Sequence, residues 1–212
     1  MAVIHRATLT PSKLELLEPW LARQPWAGSG GKLERLGSYR FDDPDGEVGI
    51  EGFLLRHGTE MVHVLLTYRA APLEGAAEWL IGTMEHSVLG TRWVYDGVGD
   101  PVGRDVLLRA LRGEQEQAAL EVHDDAGTVV QRPEPDVRVR TVVADDAAIG
   151  APAREASAVE PPAAASSQDG FAAAGSGEDR ILVARTPSAS GPGRRQLVAA
   201  WQDGEAVIAA LG

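Results

Sequence analysis

The chain has no cysteine and no asparagine, and among its 212 residues lysine occurs only at positions 13 and 32. Without cysteine there is no disulfide framework, no thiolate nucleophile and no thiolate metal site. A kinase-type phosphotransfer centre needs an asparagine for metal and a strand lysine on the phosphates, so it cannot be assembled here in the usual way. His123-Asp124-Asp125 offers a bare H-x-D, but the metal-binding position five residues on is Val130. That run, continuing into Ala126-Gly127, reads instead as a hairpin turn. Basic residues are outnumbered 31 to 20, the net charge is -11, and no Lys/Arg stripe runs along any segment. Nucleic acid and anionic membrane are therefore not expected partners. No apolar run approaches membrane-spanning length, and Met1 to Leu9 lacks the apolar core of a signal peptide, so the expectation is a cytoplasmic protein.

Other chemical signatures are missing too. Gly28-Ser29-Gly30-Gly31-Lys32 superficially resembles a phosphate loop, but Trp26 and Leu33 stand where glycine and a hydroxyl residue are required. A flexible connection is the simpler reading. There is no G-x-S-x-G elbow, and His5, His57, His63, His86 and His123 have no zinc-site spacing. Neither a metal site nor a cofactor is expected. His63 falls within an alternating strand, where a hydrogen-bonded structural histidine is the plain expectation.

What the chain does contain is a regular succession of short elements. Val3 to Leu9 reads as a strand. Thr10-Pro11 reads as an N-cap followed by proline, opening a helix with Leu14, Leu17 and Leu21 on one face that Pro19 should end or kink. Leu33 to Phe41, Glu47 to Arg56 and Met61 to Arg69 alternate, with Asp-Pro-Asp-Gly and His-Gly-Thr-Glu between them, as in an antiparallel meander. Asp100-Pro101 and Gly113 bracket a second helix. Gln115 to His123 and Thr128 to Val143 are further strands. From Ala144 to Gly177, 24 of 34 residues are Ala, Gly, Ser or Pro, too little apolar bulk to offset the entropy of ordering. This predicts a disordered linker. Arg180 to Arg185, Gln196 to Trp201 and Ala206 to Leu211 then read as three strands, too few to stand alone, and are expected to complete the main sheet. The fold class is α+β: a curved, mostly antiparallel sheet with two or three helices, a single domain (1–143 and 178–212) with a long disordered insertion at 144–177. Exposed sheet edges would also allow a homo-oligomer.

The richest stretch chemically is Gly82 to Asp96. Glu85 and His86 have the chemistry of an acid and a base, Arg92 that of an anion clamp, and Trp93 and Tyr95 that of a sugar-stacking platform. The alternative is structural: Met84, Val88, Leu89, Trp93 and Val94 fill the core while Glu85, Arg92 and Asp96 satisfy one another. Glu85, His86, Arg92, Trp93, Tyr95 and Asp96 are thus candidates for a ligand or partner surface, with no residue assigned as catalytic. Glu51 is expected to pair across strands with Arg40, and Asp42 and Asp43 to serve the turn that follows them.

Four strings then carry a resemblance: TPSKLELL at 10–17, YRFDDPDGEVGIE at 39–51, LTYRAAPLEG at 66–75 and GTMEHSVLGTRWVYDGVGDP at 82–101. Together they resemble the maltokinase N-terminal cap-like proteins, free-standing relatives of the subdomain that precedes the kinase lobes in actinobacterial maltokinases. The C-terminal strands match more loosely. The resemblance implies a curved sheet with helices and a link to maltose, trehalose and glycogen metabolism. The implied partner is a kinase or another enzyme of α-glucan metabolism. The implied function is a non-catalytic binding or regulatory module; the alternatives are a cryptic sugar-active enzyme and a small carbohydrate-binding protein using 82–96.

Overall fold

The structure is a computed structural model and describes residues 2–4, 7–28, 30–123, 129–143 and 170–212. Its elements run β1 (Ala2–Ile4), β2 (Leu9–Thr10), α1 (Lys13–Leu21), β3 (Leu33–Phe41), β4 (Gly49–His57), β5 (Glu60–Arg69), β6 (Leu80–His86), β7 (Gly90–Asp96), α2 (Pro101–Arg112), β8 (Leu120–His123), β9 (Val129–Gln131), β10 (Arg138–Val143), β11 (Phe171–Ala174), β12 (Ile181–Ser188), β13 (Arg195–Trp201) and β14 (Gly204–Leu211). The α+β class, the mostly antiparallel pairing and the two helices agree with the reading of the sequence.

The first sheet has six strands in the order β2-β6-β7-β5-β4-β3, all antiparallel. Side chains alternate across it, so each face carries its own core. Phe53, Leu55, Val62, Val64, Leu66, Met84 and Val94 lie on one face and pack against Leu17, Trp20 and Leu21 of α1. Burial of each of these large side chains is worth about 1.5–3 kcal/mol. The helix sits close to the sheet because Gly82 has no side chain: a Cβ there would lie 2.7 Å from Leu16 Cδ1.

Tyr39, Phe41, Ile50, Leu54 and Leu65 occupy the opposite face, and a second sheet and α2 cover them. That sheet has five antiparallel strands in the order β10-β13-β14-β12-β11. Val106, Leu107, Ala110 and Leu111 of α2 join the same core as Ile181, Val183, Leu197, Ala199, Ile208 and Ala209. Asp100 starts α2. Its Oδ1 accepts from the Val102 N–H at 2.9 Å while Arg69 donates to both of its oxygens and Thr67 Oγ1 to one. Gly113 ends the helix with φ 77°. A third, small sheet joins β1 in parallel to β8, and β8 to β9.

Four expectations need correction. α1 begins at Lys13, not at Thr10-Pro11: Ser12 Oγ accepts from the Glu15 N–H, and Glu15 Oε2 accepts from the Ser12 N–H at 2.8 Å. Two reciprocal bonds outweigh what a lone threonine offers, and Thr10 is left to β2. Pro19 does not end this helix, which continues to Leu21. The C-terminal strands do not complete the first sheet; they hydrogen-bond to one another and to β10, and meet the first sheet face to face. Finally, Phe171–Ala174, which falls within the segment expected to be disordered, is a strand paired with β12. The rest of that segment, 144–169, and the turn expected at 124–127 lie outside the described residues.

The Gly28–Gly31 run is indeed a connection. Gly31, at φ 141°, packs on the β4–β5 turn, where a Cβ would come within 2.7 Å of Gly58 Cα. His57 caps the same region through Nδ1, which donates to the Ala27 carbonyl at 2.8 Å.

Candidate functional site

α1 is only nine residues long, so it covers part of its sheet face and leaves the rest open. Beside its first turn is a pocket of about 710 Å³, reached by Lys13, Arg40, Tyr68, Met84, His86 and Arg92, with the Phe41–Ile50 loop along one side.

Three of the residues that line it, Lys13, Arg40 and Tyr68, meet at Glu51 of β4, which is 5% exposed and gathers three donors on one oxygen. Lys13 Nζ pairs with Oε2, Tyr68 OH donates to it at 3.1 Å, and Arg40 Nη2 lies 3.5 Å away. Arg40 is Glu51's direct cross-strand partner, as expected. Burial alone would push the Glu51 carboxyl up, but Lys13 and Arg40, with the hydrogen bonds from Lys13 and Tyr68, hold it below the usual range. Burial pushes the Lys13 ammonium down; Glu51 opposes that, and Arg40 and Arg35 add to it. Burial likewise raises the Tyr68 phenol, and the Glu51 charge raises it further. Lys13 Nζ also lies 5.5 Å from the ring centres of both Phe53 and Tyr68, a cation–π arrangement.

Replacing Glu51 by glutamine should cost about 2 kcal/mol, the scale of a hydrogen bond to a charged group. Urea unfolding measures this, and an unchanged midpoint would show that solvent already satisfies Lys13 and Arg40.

The six candidates from the 82–96 stretch do not form one site, because they alternate along a hairpin. His86 and Arg92 reach the pocket. His86 Nδ1 accepts from the N–H groups of Val88 and Leu89, at 3.2 and 3.1 Å, which shapes the hairpin turn. Arg92 Nη2 donates to the Leu89 carbonyl at 2.5 Å, while its Nε is buried with no partner among the described residues. Glu85 is exposed and accepts from Thr91 Oγ1 at 2.7 Å. Trp93 follows Arg92 and so belongs to the other side of the strand, half-buried. Tyr95 is 2% exposed, and its hydroxyl accepts from the Leu73 N–H, so its ring does not form a stacking platform in solvent. Asp96 is buried and pairs with Arg185 of β12.

The structural alternative also fails in part. Met84 and Val94 are core, but Val88 and Leu89 are 57% and 44% exposed, and Glu85, Arg92 and Asp96 each have a different partner. Lys13 and Tyr68 went unrecognised in the sequence. Their signal was weak: Lys13 follows a capping serine, and Tyr68 shares a face with Glu51 only once the strand register is known. Among the described residues no three His, Asp or Glu side chains group as a metal centre would require, and no helix is long and apolar enough to cross a membrane.

Residues 20–100 match the family model described as the maltokinase N-terminal cap domain. Over these residues the chain is similar to that cap domain. The matched span starts in α1 and ends on Asp100, the N-cap of α2, so it contains β3 to β7 entire. Arg40, Glu51, Tyr68, His86 and Arg92 lie within the cap match; Lys13 lies just before it. The second sheet, which covers the other face of the first, lies beyond it. A comparison with curated proteins finds no match.

Proposed function

We propose that this chain is a non-catalytic cap-type module that binds or regulates an enzyme of maltose, trehalose or glycogen metabolism. The observation that carries this reading is the cap match over 20–100 in a chain whose own residues do not supply a phosphotransfer centre. The chain contains no asparagine, and its two lysines are engaged elsewhere: Lys13 with the buried Glu51, and Lys32 with Glu34 at 2.8 Å. A kinase needs such residues on metal and phosphates.

Two measurements test it. Purified chain should show no ATP-dependent phosphorylation of maltose; turnover that disappears when one of its own carboxylates is replaced overturns the non-catalytic part. Sedimentation of the chain with a purified maltokinase should show a complex or, failing that, assays should show a changed kcat/KM for maltose. Neither effect, with maltokinase or with other enzymes acting on α-glucans, overturns the partner assignment.

A further inference from the structure

Hairpin turns are usually built from glycine, asparagine, aspartate and serine. At the β6–β7 turn, Ser87 and Gly90 instead flank Val88 and Leu89, which are 57% and 44% exposed. Side chains pin the backbone of this tip. His86 Nδ1 accepts from the N–H groups of both Val88 and Leu89, and Arg92 donates to the Leu89 carbonyl. Ser87 exchanges two bonds with Thr8, each of 3.0 Å: its hydroxyl accepts the Thr8 N–H, and its own N–H donates to the Thr8 carbonyl. Two aliphatic side chains are thus held at the surface on a fixed backbone, the preorganisation that a docking anchor needs.

The pocket of about 710 Å³ adjoins this tip, with Leu9, Ile50 and Met84 among its walls, and its lining carries as many carboxylates as Lys and Arg side chains. Most of those charges are answered within the chain. Lys13 and Arg40 pair with Glu51, Asp43 accepts from the N–H groups of Asp45, Glu47 and Val48, and Asp42 is engaged as well. Two of opposite sign remain: among the described residues Arg92 has no carboxylate partner, and the exposed Glu47 has no cationic one. A projecting tip, a pocket beside it and one unpaired charge of each sign share a single face. That is what a two-fold interface requires, because the same patch must complement its own copy. A partner of one charge would call for an excess of the other, which this lining lacks.

We propose that this face pairs two copies of the chain about a two-fold axis. The Val88–Leu89 tip of each enters the pocket of the other, and Arg92 of each meets Glu47 of the other. Apolar burial supplies the attraction and the two crossed ion pairs set the register. The interface is independent of the partner assignment above, and the chain alone tests it.

The net charge of -11 on each copy opposes association at long range, so the measurement belongs at about 0.15 M salt, where that field is screened beyond about 8 Å. Sedimentation equilibrium of the full chain from about 1 to 300 µM should show a monomer–dimer equilibrium in the micromolar range, as small interfaces give. Replacing Val88 and Leu89 together by serine should weaken it by about tenfold or more, one decade in Kd, with an unchanged melting temperature. Arg92→Glu and Glu47→Arg should each weaken it as much, because each sets like charges together twice per dimer. Mixed with one another, these two variants should dimerise again, since both crossed pairs then join opposite signs; a merely structural role for either residue gives no such rescue. Should Arg92→Glu fold poorly, Glu47→Arg and the serine variant, both at exposed positions, carry the test. The assignment is overturned if the chain stays monomeric throughout, if it grows beyond a dimer, if the serine variant or either charge variant associates like the parent, or if the mixture of folded charge variants remains monomeric.

Discussion

Replacing Asp96 by alanine should destabilise the protein by about 3–5 kcal/mol, the cost of stranding one member of a buried ion pair. Its partner, Arg185, is only 2% exposed, and its Nε and Nη1 have no hydrogen-bond partner among the described residues. Its guanidinium carbon also lies over the face of Trp26, 5.0 Å from the ring centre. Removing the carboxylate therefore leaves a charge with neither water nor a counterion. For a chain of this size the melting temperature should fall by roughly 6–20 °C. Replacing both residues, as Asp96→Ala with Arg185→Met, should recover much of the loss because the stranded charge goes too. Urea unfolding of the three variants separates these cases. If Asp96→Ala stays within about 1 kcal/mol of the parent, the pair behaves like an exposed one and contributes little to the hold between the sheets.

This pair shows what the sequence could and could not disclose. Asp96 stood out within its own segment, but its partner lies 89 positions away, and no local pattern links them. Strands β3 to β5 were legible because their period of two and the turns between them are local properties, as were the Asp100-Pro101 start and Gly113 stop of α2. The start of α1 was ambiguous because two cap signals lie within three residues, and only Ser12 has Glu15 to complete a reciprocal box. The C-terminal strands could be recognised, but their partners could not, since alternation says which side is apolar and not what will cover it. Phe171–Ala174 read as linker because alanine contributes little bulk. In the fold that smallness is what the position takes: Ala172 and Ala174 are 2% and 8% exposed in the shared core.

The candidate site was half legible for a related reason. Reading 82–96 as one unit ignored the strand period, which sends Arg92 towards the pocket and Trp93 away from it. The pocket itself is built from α1, the β3–β4 region, β5 and the β6–β7 hairpin, so no window of sequence contains it. The Arg40–Glu51 pair was visible as a cross-strand neighbour, but that Glu51 also holds the pocket-lining Lys13 and Tyr68 depended on residues arriving from elsewhere.

The second large effect is expected from pH, through His63. This side chain is fully buried on the face of the first sheet that meets the second. A carbonyl can only accept, so Nδ1–H donates to the Ala184 carbonyl at 2.9 Å; Nε2 then accepts from Tyr39 OH at 2.8 Å. The imidazole in this arrangement is neutral and joins β5 to β12. Burial pushes its pKa down from 6.5 to about 4; the Ala184 bond opposes this and the Arg185 charge adds to it. An unfolded chain thus takes up a proton near pH 6.5 that the folded chain refuses until about pH 4. Stability from this group is complete above pH 6.5 and declines as pH falls through that window, with a total loss of about 3 kcal/mol. Glu51 and Asp100, both held below their usual range, extend the loss in the same direction at still lower pH. Urea midpoints measured from pH 7.5 to 4.5 should therefore fall steeply, by about one proton's worth of slope between the two pKa values. His63→Gln keeps a donor for Ala184 and an acceptor for Tyr39 but cannot titrate, and should flatten that part of the curve. The same slope in both proteins would mean that protonation occurs elsewhere and that the His63 bridge between the sheets opens before the chain unfolds.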